Sequence, residues 1–411
     1  MRITFLNNYL SMRGGSERVM FEEAAMLRGR GHTVSFFSRR GPKDVEHEHA
    51  AFYLPNVVIE ELHGWAKARR ACQVVYNPAM GRAFRKFLLA VRPDVLHAHN
   101  IYGGLTTAVL DVAREQHLPV VLTVHDYKLV CPSYRALAHG RVCTACRGGR
   151  FYHCILKRCH KDSLIASLVY TTETCFTTWG RKYAPVRYFI CPSRFMQQTL
   201  QANGFDPRRL VYLPNAIDAT TISPAPGQGS YALYAGRLSP EKGLLTLLQA
   251  MRNLDLPLRI VGDGPQRGEL LKFVEDHRLQ DRVIFTGHLG GEDLARQYRN
   301  AAFFVLPAEW HENAPMSVLE AFAYGKPVLG SDLGGIPELV EPGRTGRLFP
   351  AGDAAALQDG LAALWRDRAA WGELGSAGRR RIAEEFSVAR HAEALLALYD
   401  RGLRENNPLP V

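Results

Sequence analysis

The sequence predicts an α/β protein built as two doubly wound domains, each with a parallel sheet. Three observations predict it: the length, an alternation of apolar strands with amphipathic helices, and a restart of that alternation halfway along. At 411 residues the chain exceeds one ordinary core. Its strands are short, nearly continuous apolar runs, as expected when both faces of a parallel sheet are covered. Ligands of such sheets sit at the carboxyl ends of the strands.

The first series reads "RITFLN", the helix "RVMFEEAAMLRGRG", "TVSFFSR", "DVLHAH", the helix "LTTAVLDVAREQ", "PVVLTVHD" and "RYFICPS". After about residue 208 it resumes with "YALYAGR", "GLLTLLQAMRNL", "PLRIVGDG", "RGELLKFVEDHRL", "VIFTGHL", "AFFVLPAEW", a helix after Asn313, "KPVLGSD" and "TGRLFP". Residues 203–230 between them are rich in Pro, Gly and polar residues and read as a linker. The domains are therefore expected at 1–207 and 208–387.

Composition narrows the class. Hydrophobic residues make up 46% and charged residues 22%, the balance of a soluble globular chain. No apolar run approaches the ~20 residues of a membrane span. The start, "MRITFLNNYLSMRGG", does not read as a secretory signal, so a cytoplasmic location is expected, with eight cysteines reduced unless a metal holds them. Residues 1–200 hold 28 Lys and Arg against 14 Asp and Glu, a net of +14, and residues 201–411 hold 23 against 26, a net of −3. A basic half points to an anionic partner: acidic headgroups or a phosphorylated acceptor. Nothing matches a nucleic-acid-binding motif, so no nucleic acid is expected.

The chemistry gathers at strand ends. In "WHENAPMSVLEAFAYGKPVLGSD", Pro315 suits the start of a helix whose first amides face the end of "FFVLP", an arrangement suited to phosphate. Glu312 and Glu320 flank it. Carboxylates do not bind phosphate, so they would serve neighbouring hydroxyls, and sugars carry those. In "YAGRLSPEKG", Arg237 and Lys242 converge on one strand-to-helix turn as a diphosphate clamp. In "RGGSER", Gly14 and Gly15 lie between strand and helix, where bare backbone admits an anion. No G-x-G-x-x-G follows a strand, which argues against a nicotinamide enzyme.

These motifs resemble those of retaining glycosyltransferase family 4, enzymes of the two-domain GT-B fold whose domains face each other across a cleft. "ENAPMSVLE" resembles its E-x7-E, "GRLSPEKG" its G-R-x-x-x-x-K-G, "PNAID" its P-N-G-V-D and "GGSE" its first glycine loop; "DVLHAH" and "TVHD" match its N-terminal half. The resemblance implies that Arg237 and Lys242 bind the donor diphosphate, helped by Gly14, Gly15 and the amides of Met316 and Ser317. It implies that Glu320 holds the ribose, that Glu312 holds the transferred sugar, and that Leu289 lies where backbone meets the base. His125, in "TVHD", falls beside the reacting sugar. Asn313, Ala314 and Pro315 replace the Gly-Phe-Gly usual after the first glutamate, and Ala216 replaces the glycine of "PNAID". The resemblance also implies that the first domain, completed by the helix 388–411, binds the acceptor and that the second binds the nucleotide sugar.

A UDP- or GDP-linked sugar is then the expected co-substrate, and a glycan or lipid-linked molecule the acceptor, in cell-surface polysaccharide synthesis. Arg237, Lys242 and helix N-termini would stabilise the leaving diphosphate. No D-x-D motif stands beside a strand, so no catalytic metal is expected, and the resemblance implies retention by same-face attack. A nucleotide-sugar epimerase or another enzyme of the same fold is the alternative; a non-catalytic scaffold would need no diphosphate clamp.

Two features remain. Cys131, Cys143, Cys146, Cys154 and Cys159 crowd about residues 131–160, a polar insert poor in pattern. A structural zinc would order it; the resemblance points to Cys131, Cys143, Cys146 and Cys159, and reduced thiols or an iron–sulfur cluster stay open. Residues 60–92 mix Trp65, Val74, Val75, Tyr76, Phe84, Phe87 and Leu88 with Lys67, Arg69, Arg70, Arg82, Arg85 and Lys86 at near-helical spacing. This suits a helix lying on anionic headgroups, and predicts peripheral attachment to the inner face of the cell membrane.

Overall fold

A computed structural model describes residues 1–41, 44, 47–56 and 64–405, apart from the Lys67 side chain. The chain divides into two compact units. The first comprises Met1–His139, Cys143–Leu213 and the chain from Ala392 on; the second is Pro214–His391, with which Gly140–Val142 group.

The first unit holds β1 (Arg2–Leu6), β2 (Thr33–Phe37), β3 (Val95–Ala98) and β4 (Val120–Thr123). The two-residue strands β5 (Leu137–Ala138) and β6 (Arg141–Val142) lie in the cysteine-rich segment, and β7 (Val186–Cys191) and β8 (Leu210–Tyr212) follow. Six strands form one parallel sheet in the order β2-β1-β3-β4-β7-β8. Strand order reverses between β1 and β3, where doubly wound sheets open a crevice. Helices α1 (Gly15–Gly29), α2 (Gly64–Val75), α3 (Pro78–Val91), α4 (Ala108–Glu115), α5 (Tyr152–Leu156), α6 (Leu164–Trp179) and α7 (Arg194–Ala202) complete the series.

The second unit repeats the plan. Strands β9 (Ala232–Ala235), β10 (Leu258–Val261), β11 (Val283–Gly287), β12 (Phe303–Leu306), β13 (Val328–Ser331) and β14 (Gly346–Phe349) pair in parallel in the order β11-β10-β9-β12-β13-β14. Here the reversal falls between β9 and β12. Its helices are α8 (Leu244–Met251), α9 (Arg267–Asp276), α10 (Gly291–Asn300), α11 (Met316–Ala323), α12 (Ile336–Leu339), α13 (Ala354–Arg366) and α14 (Ala370–Glu385). α14 holds α11 through Gly375 and Gly378: a Cβ at the first would collide with the Gly325 carbonyl, and one at the second with the Phe322 ring. This close crossing fixes the helix that carries Glu320.

Two expectations need correction. β8 lies inside the stretch read as linker; three residues are too few for a periodic signal, and Asp206 starts the turn before it by accepting the Arg208 amide at 3.0 Å. Of the segment 60–92, residues 60–63 lie outside the described residues. The rest is two helices, parted at Asn77, whose side chain caps α3 by accepting the Met80 amide at 3.3 Å. Val74, Phe84, Phe87 and Leu88 are buried in the core, with Phe37 4.8 Å from the Phe84 ring and 5.1 Å from the Phe87 ring. The face read as membrane-seeking is thus mostly core-seeking, and Trp65, 91% exposed, is the main exception. Amphipathic helices of a doubly wound domain give the same pattern.

The helix α15 (Val388–Arg404) returns to the first unit from Ala392 on. The Tyr399 hydroxyl meets Nδ1 of buried His97 at 2.7 Å, and His97 Nε2 meets Thr123 Oγ1 at 2.8 Å. Beside it, His99 Nδ1 lies 2.7 Å from His125 Nε2. A Glu23 oxygen sits 3.6 Å from both His97 Nδ1 and His99 Nε2, a charge contact rather than a hydrogen bond. Burial, and then neighbouring imidazoles, hold His99 well below the usual histidine range. Burial also brings His125 down to about 4, against a smaller upward pull from Glu23. In the unfolded chain His125 titrates near 6.5. Between about pH 6.5 and 4 the unfolded state therefore binds a proton that the folded state refuses, and stability falls as pH falls through that window. Asp126, pushed up to about 6 by burial, works in the opposite sense between about pH 6 and 4. Urea unfolding across this range should show His125→Asn losing about 2 kcal/mol less than the parent between pH 7 and 4, because both chains keep Asp126. Parallel curves for the two would refute the assignment.

Candidate active site

At the switch point of the second sheet, two loops are stitched together. β9 runs through Gly236 into Arg237, whose carbonyl accepts the Tyr234 hydroxyl at 2.9 Å. A 3-10 turn, Pro240–Lys242, then ends on Gly243 at φ 68°, where a Cβ would collide with the Pro307 carbonyl just past β12. Glycine is required there, on conformation and on space. The Glu309 amide donates to the Glu241 carbonyl at 2.9 Å, and Thr246 Oγ1 donates to the Glu309 carboxylate. This contact places Lys242 Nζ 2.5 Å from Glu312 Oε1 and 5.3 Å from the Trp310 ring.

Glu312 is 6% exposed, so its carboxylate would be costly without that ammonium. Its backbone is gripped from the other side. Gly335 N–H donates to the Glu312 carbonyl at 2.7 Å, and Gly334, at φ 64°, lies so close that a Cβ would sit 2.5 Å from the same oxygen. Asn215, from "PNAID", donates to the Ala314 carbonyl at 3.1 Å. Asn313 is buried, and Pro315 stands at the N-cap of α11 rather than in its first turn. No side chain caps α11. Its first turn, with Met316 and Ser317, therefore points donors without an intrahelical acceptor at the strand ends. Glu320, buried on α11, accepts the Tyr298 hydroxyl at 2.6 Å, and the Tyr298 ring stacks on Tyr324 at 5.2 Å. Leu289 is half-buried in the loop after β11, at the same edge of the sheet.

The structure thus brings Arg237, Lys242, Glu312, Asn313, Ala314, Pro315, Met316, Ser317 and Glu320 to one edge of the second sheet. In the first unit, Gly14 and Gly15 begin α1 after β1, and His125 follows β4. Gly14 is extended, at φ −173°, so the backbone does not demand glycine there. Buried Glu17, in the first turn of α1, accepts from Asn7 Nδ2 at 3.3 Å and from Ser16 Oγ at 3.1 Å. A carboxylate already occupies that helix terminus, which sequence reasoning missed. It also missed Asn215, Tyr298, Glu309 and Trp310. The first lay inside a recognised motif; the others become visible only through partners 22 to 68 residues away.

The cysteine cluster is tighter than the sequence set implied. Cys146, Phe151 and Cys154 form a small buried core against which Cys159 and Cys175 pack. Cys131 Sγ lies 3.3 Å from Ser133 Oγ, and Lys157 Nζ lies 3.7 Å from Cys143 Sγ. Burial, then the thiols of Cys131, Cys154 and Cys143, push Cys146 up to about 12. A sulfur–sulfur hydrogen bond to Cys159 brings Cys154 down to about 7. Cys154, outside the set of four that the resemblance pointed to, thus stands at the centre of the cluster. Among the described residues, however, the group whose ligand atoms all lie within 4.8 Å is Glu23, His97 and His99.

Residues 13–221 match the model of Glycosyltransferase Family 4, and residues 219–381 that of Glycosyl transferases group 1. A putative colanic acid biosynthesis glycosyltransferase, WcaL of Salmonella typhimurium, is 30% identical over 46% of this chain, which spans only 50% of that relative's length. The phosphatidyl-myo-inositol mannosyltransferase of Mycobacterium leprae is 30% identical over 89% of this chain and 88% of its own. The structure of Anabaena Alr3699/HepE, in complex with UDP and glucose, superposes with a TM-score of 0.70 at 17% identity, covering 98% of this chain and 100% of that one. The shared architecture is the GT-B fold. With a family model and a relative aligned along most of its length, the chain belongs to the glycosyltransferases of family 4.

Proposed function

We propose that this glycosyltransferase moves a sugar from a UDP- or GDP-linked donor to a glycan or lipid-linked acceptor, with retention and without a catalytic metal. The observation that carries the reading is the contact between Lys242 and Glu312 at the β9/β12 switch point. One of the three Lys242 N–H donors goes to Glu312, leaving two for phosphate oxygens, while the second Glu312 oxygen can accept a sugar hydroxyl. Arg237 adds a forked guanidinium, and the first turn of α11 adds amides at Met316 and Ser317. Glu320 would take the ribose and Leu289 the base edge, and Asn313, Ala314 and Pro315 would shape the sugar pocket. Gly14, Gly15 and His125 would act from the first unit. The Anabaena protein's complex with UDP and glucose supports the donor class.

The bond between the anomeric carbon and the β-phosphate oxygen breaks, and its electron pair goes to that phosphate. Arg237, Lys242 and α11 stabilise the growing charge in place. The acceptor hydroxyl attacks on the same face, and its proton passes to the departing phosphate oxygen. Relatives in colanic acid and phosphatidyl-inositol mannoside pathways support a role in cell-surface polysaccharide or glycolipid assembly. Lys242→Ala and Glu312→Gln should each lower nucleoside diphosphate release with acceptor by at least about 100-fold in chains that circular dichroism shows to be folded at the assay temperature. Near-normal turnover in either would remove the site.

The insert is proposed to hold a structural zinc on thiolates drawn from Cys131, Cys143, Cys146, Cys154 and Cys159. Elemental analysis of protein purified without a metal column should find about one zinc per chain, lost in Cys146→Ser; neither zinc nor iron would defeat the idea.

An anionic membrane surface remains the proposed partner, through another face. Tyr152, Leu156, Leu164, Ile165 and Leu168 are exposed on α5 and the start of α6, among Arg150, Lys157, Arg158 and Lys161. Apolar side chains set among basic ones suit peripheral attachment to the inner face of the cell membrane. No helix among the described residues is long and apolar enough to cross a membrane. Co-sedimentation with anionic vesicles should drop when Leu156 and Ile165 are replaced by serine; equal recovery on neutral vesicles would contradict the proposal.

A further inference from the structure

Two guanidinium groups at the carboxyl edge of the first sheet are buried without a counter-ion among the described residues. Arg39, two residues past β2, is 6% exposed, and Arg70, on α2, is 7% exposed. The Nε of each lacks a hydrogen-bond partner. Arg70 donates once, to the neutral Gln73 side chain at 3.3 Å. Burial first, and Arg39 next, pull the Arg70 pKa down, so the two cations sense each other.

The surroundings hold the two groups in place. Gly103 and Gly104, after β3, admit the groups: a Cβ on Gly104 would lie 2.6 Å from Arg39 Cζ, and one on Gly103 3.4 Å from the Tyr170 hydroxyl. Asn8 pins this loop, donating to the Tyr102 carbonyl at 2.7 Å and accepting the Leu105 amide at 2.9 Å. Arg39 lies over the Tyr9 ring at 4.8 Å, and exposed Arg13 over the same ring at 3.7 Å. Among the described residues, the Glu173 carboxylate is committed to Lys128 and the Asp126 carboxylate to the Tyr102 hydroxyl.

A buried cation without a partner costs stability, and two together cost more. Paired guanidinium forks match the oxygens of a phosphate. We propose that Arg39 and Arg70 form an oxyanion site that receives a phosphate group carried by the acceptor. The proposal deepens, and rests on, the reading of the first unit as the acceptor-binding half. Tyr170 stands five residues, about 8 Å, along α6 from exposed Ile165. A lipid-carrier phosphate and a phosphorylated sugar in solution are thus both within its chemistry.

The test uses the full chain carrying Lys242→Ala and Arg237→Ala, which silences phosphate binding at the donor site. Calorimetric titration with inorganic phosphate should still show one site, weakened at least about tenfold by Arg39→Gln or Arg70→Gln. The same substitutions should raise the melting temperature of the unliganded chain, since they remove an unpaired buried charge; a merely structural arginine would lower it. Vesicles containing phosphatidate and soluble methyl phosphate separate the two sources, and binding of either supports the site. No residual phosphate binding, or binding indifferent to both substitutions, overturns the proposal whether or not the donor assignment stands. Should Arg39→Gln fail to fold, Arg70→Gln decides alone. Loss of transfer with every acceptor, while the titration behaves as expected, would instead indict the transferase reading.

Discussion

The carboxyl edge of the second sheet is organised around one contact, the Lys242 ammonium against the Glu312 carboxylate at 2.5 Å. Neither residue could be placed there without the other. Glu312 is too buried to carry an isolated charge, and the loop bearing Lys242 approaches β12 only because Gly243 leaves the Pro307 carbonyl clear. Gly334, Gly335 and Asn215 hold the facing loop, and α14 holds α11 through two glycines. The consequence is a rigid edge on which phosphate donors and hydroxyl acceptors alternate. Such preorganisation lets an enzyme stabilise charge that appears only as the leaving group departs.

The first unit uses buried charge differently. Its histidines are kept neutral by burial and by one another, around a single Glu23. Its arginines at the same edge, Arg39 and Arg70, are buried with their Nε atoms unpartnered among the described residues. The second unit therefore neutralises its cation Lys242 with a carboxylate, while the first buries two cations side by side. That difference matches a +14 charge in residues 1–200 beside −3 in the remainder.

Much of this was legible in the sequence. Parallel strands under helices give continuous apolar runs, so twelve sheet strands sit where those runs stand, save β8, too short to carry a pattern. The donor-site residues sit in short local motifs whose backbone chemistry is readable, which is why Arg237, Lys242, Glu312 and Glu320 fall together. What was not legible depends on distant partners. Tyr298 reaches Glu320 across 22 residues and Tyr399 reaches His97 across 302. The segment 60–92 misled for a related reason: an amphipathic helix shows that it has an apolar face, not whether core or membrane receives it. Arg70, counted there among the charges meeting the headgroups, is buried.

The most direct test of the account is a crystal structure of the protein with UDP or GDP bound. The account predicts the diphosphate at the β9/β12 switch point, within hydrogen-bond reach of Arg237, Lys242 and the first amides of α11, with the ribose hydroxyls on Glu320. A diphosphate bound elsewhere, with the contact between Lys242 and Glu312 undisturbed and solvent at the α11 terminus, would contradict it.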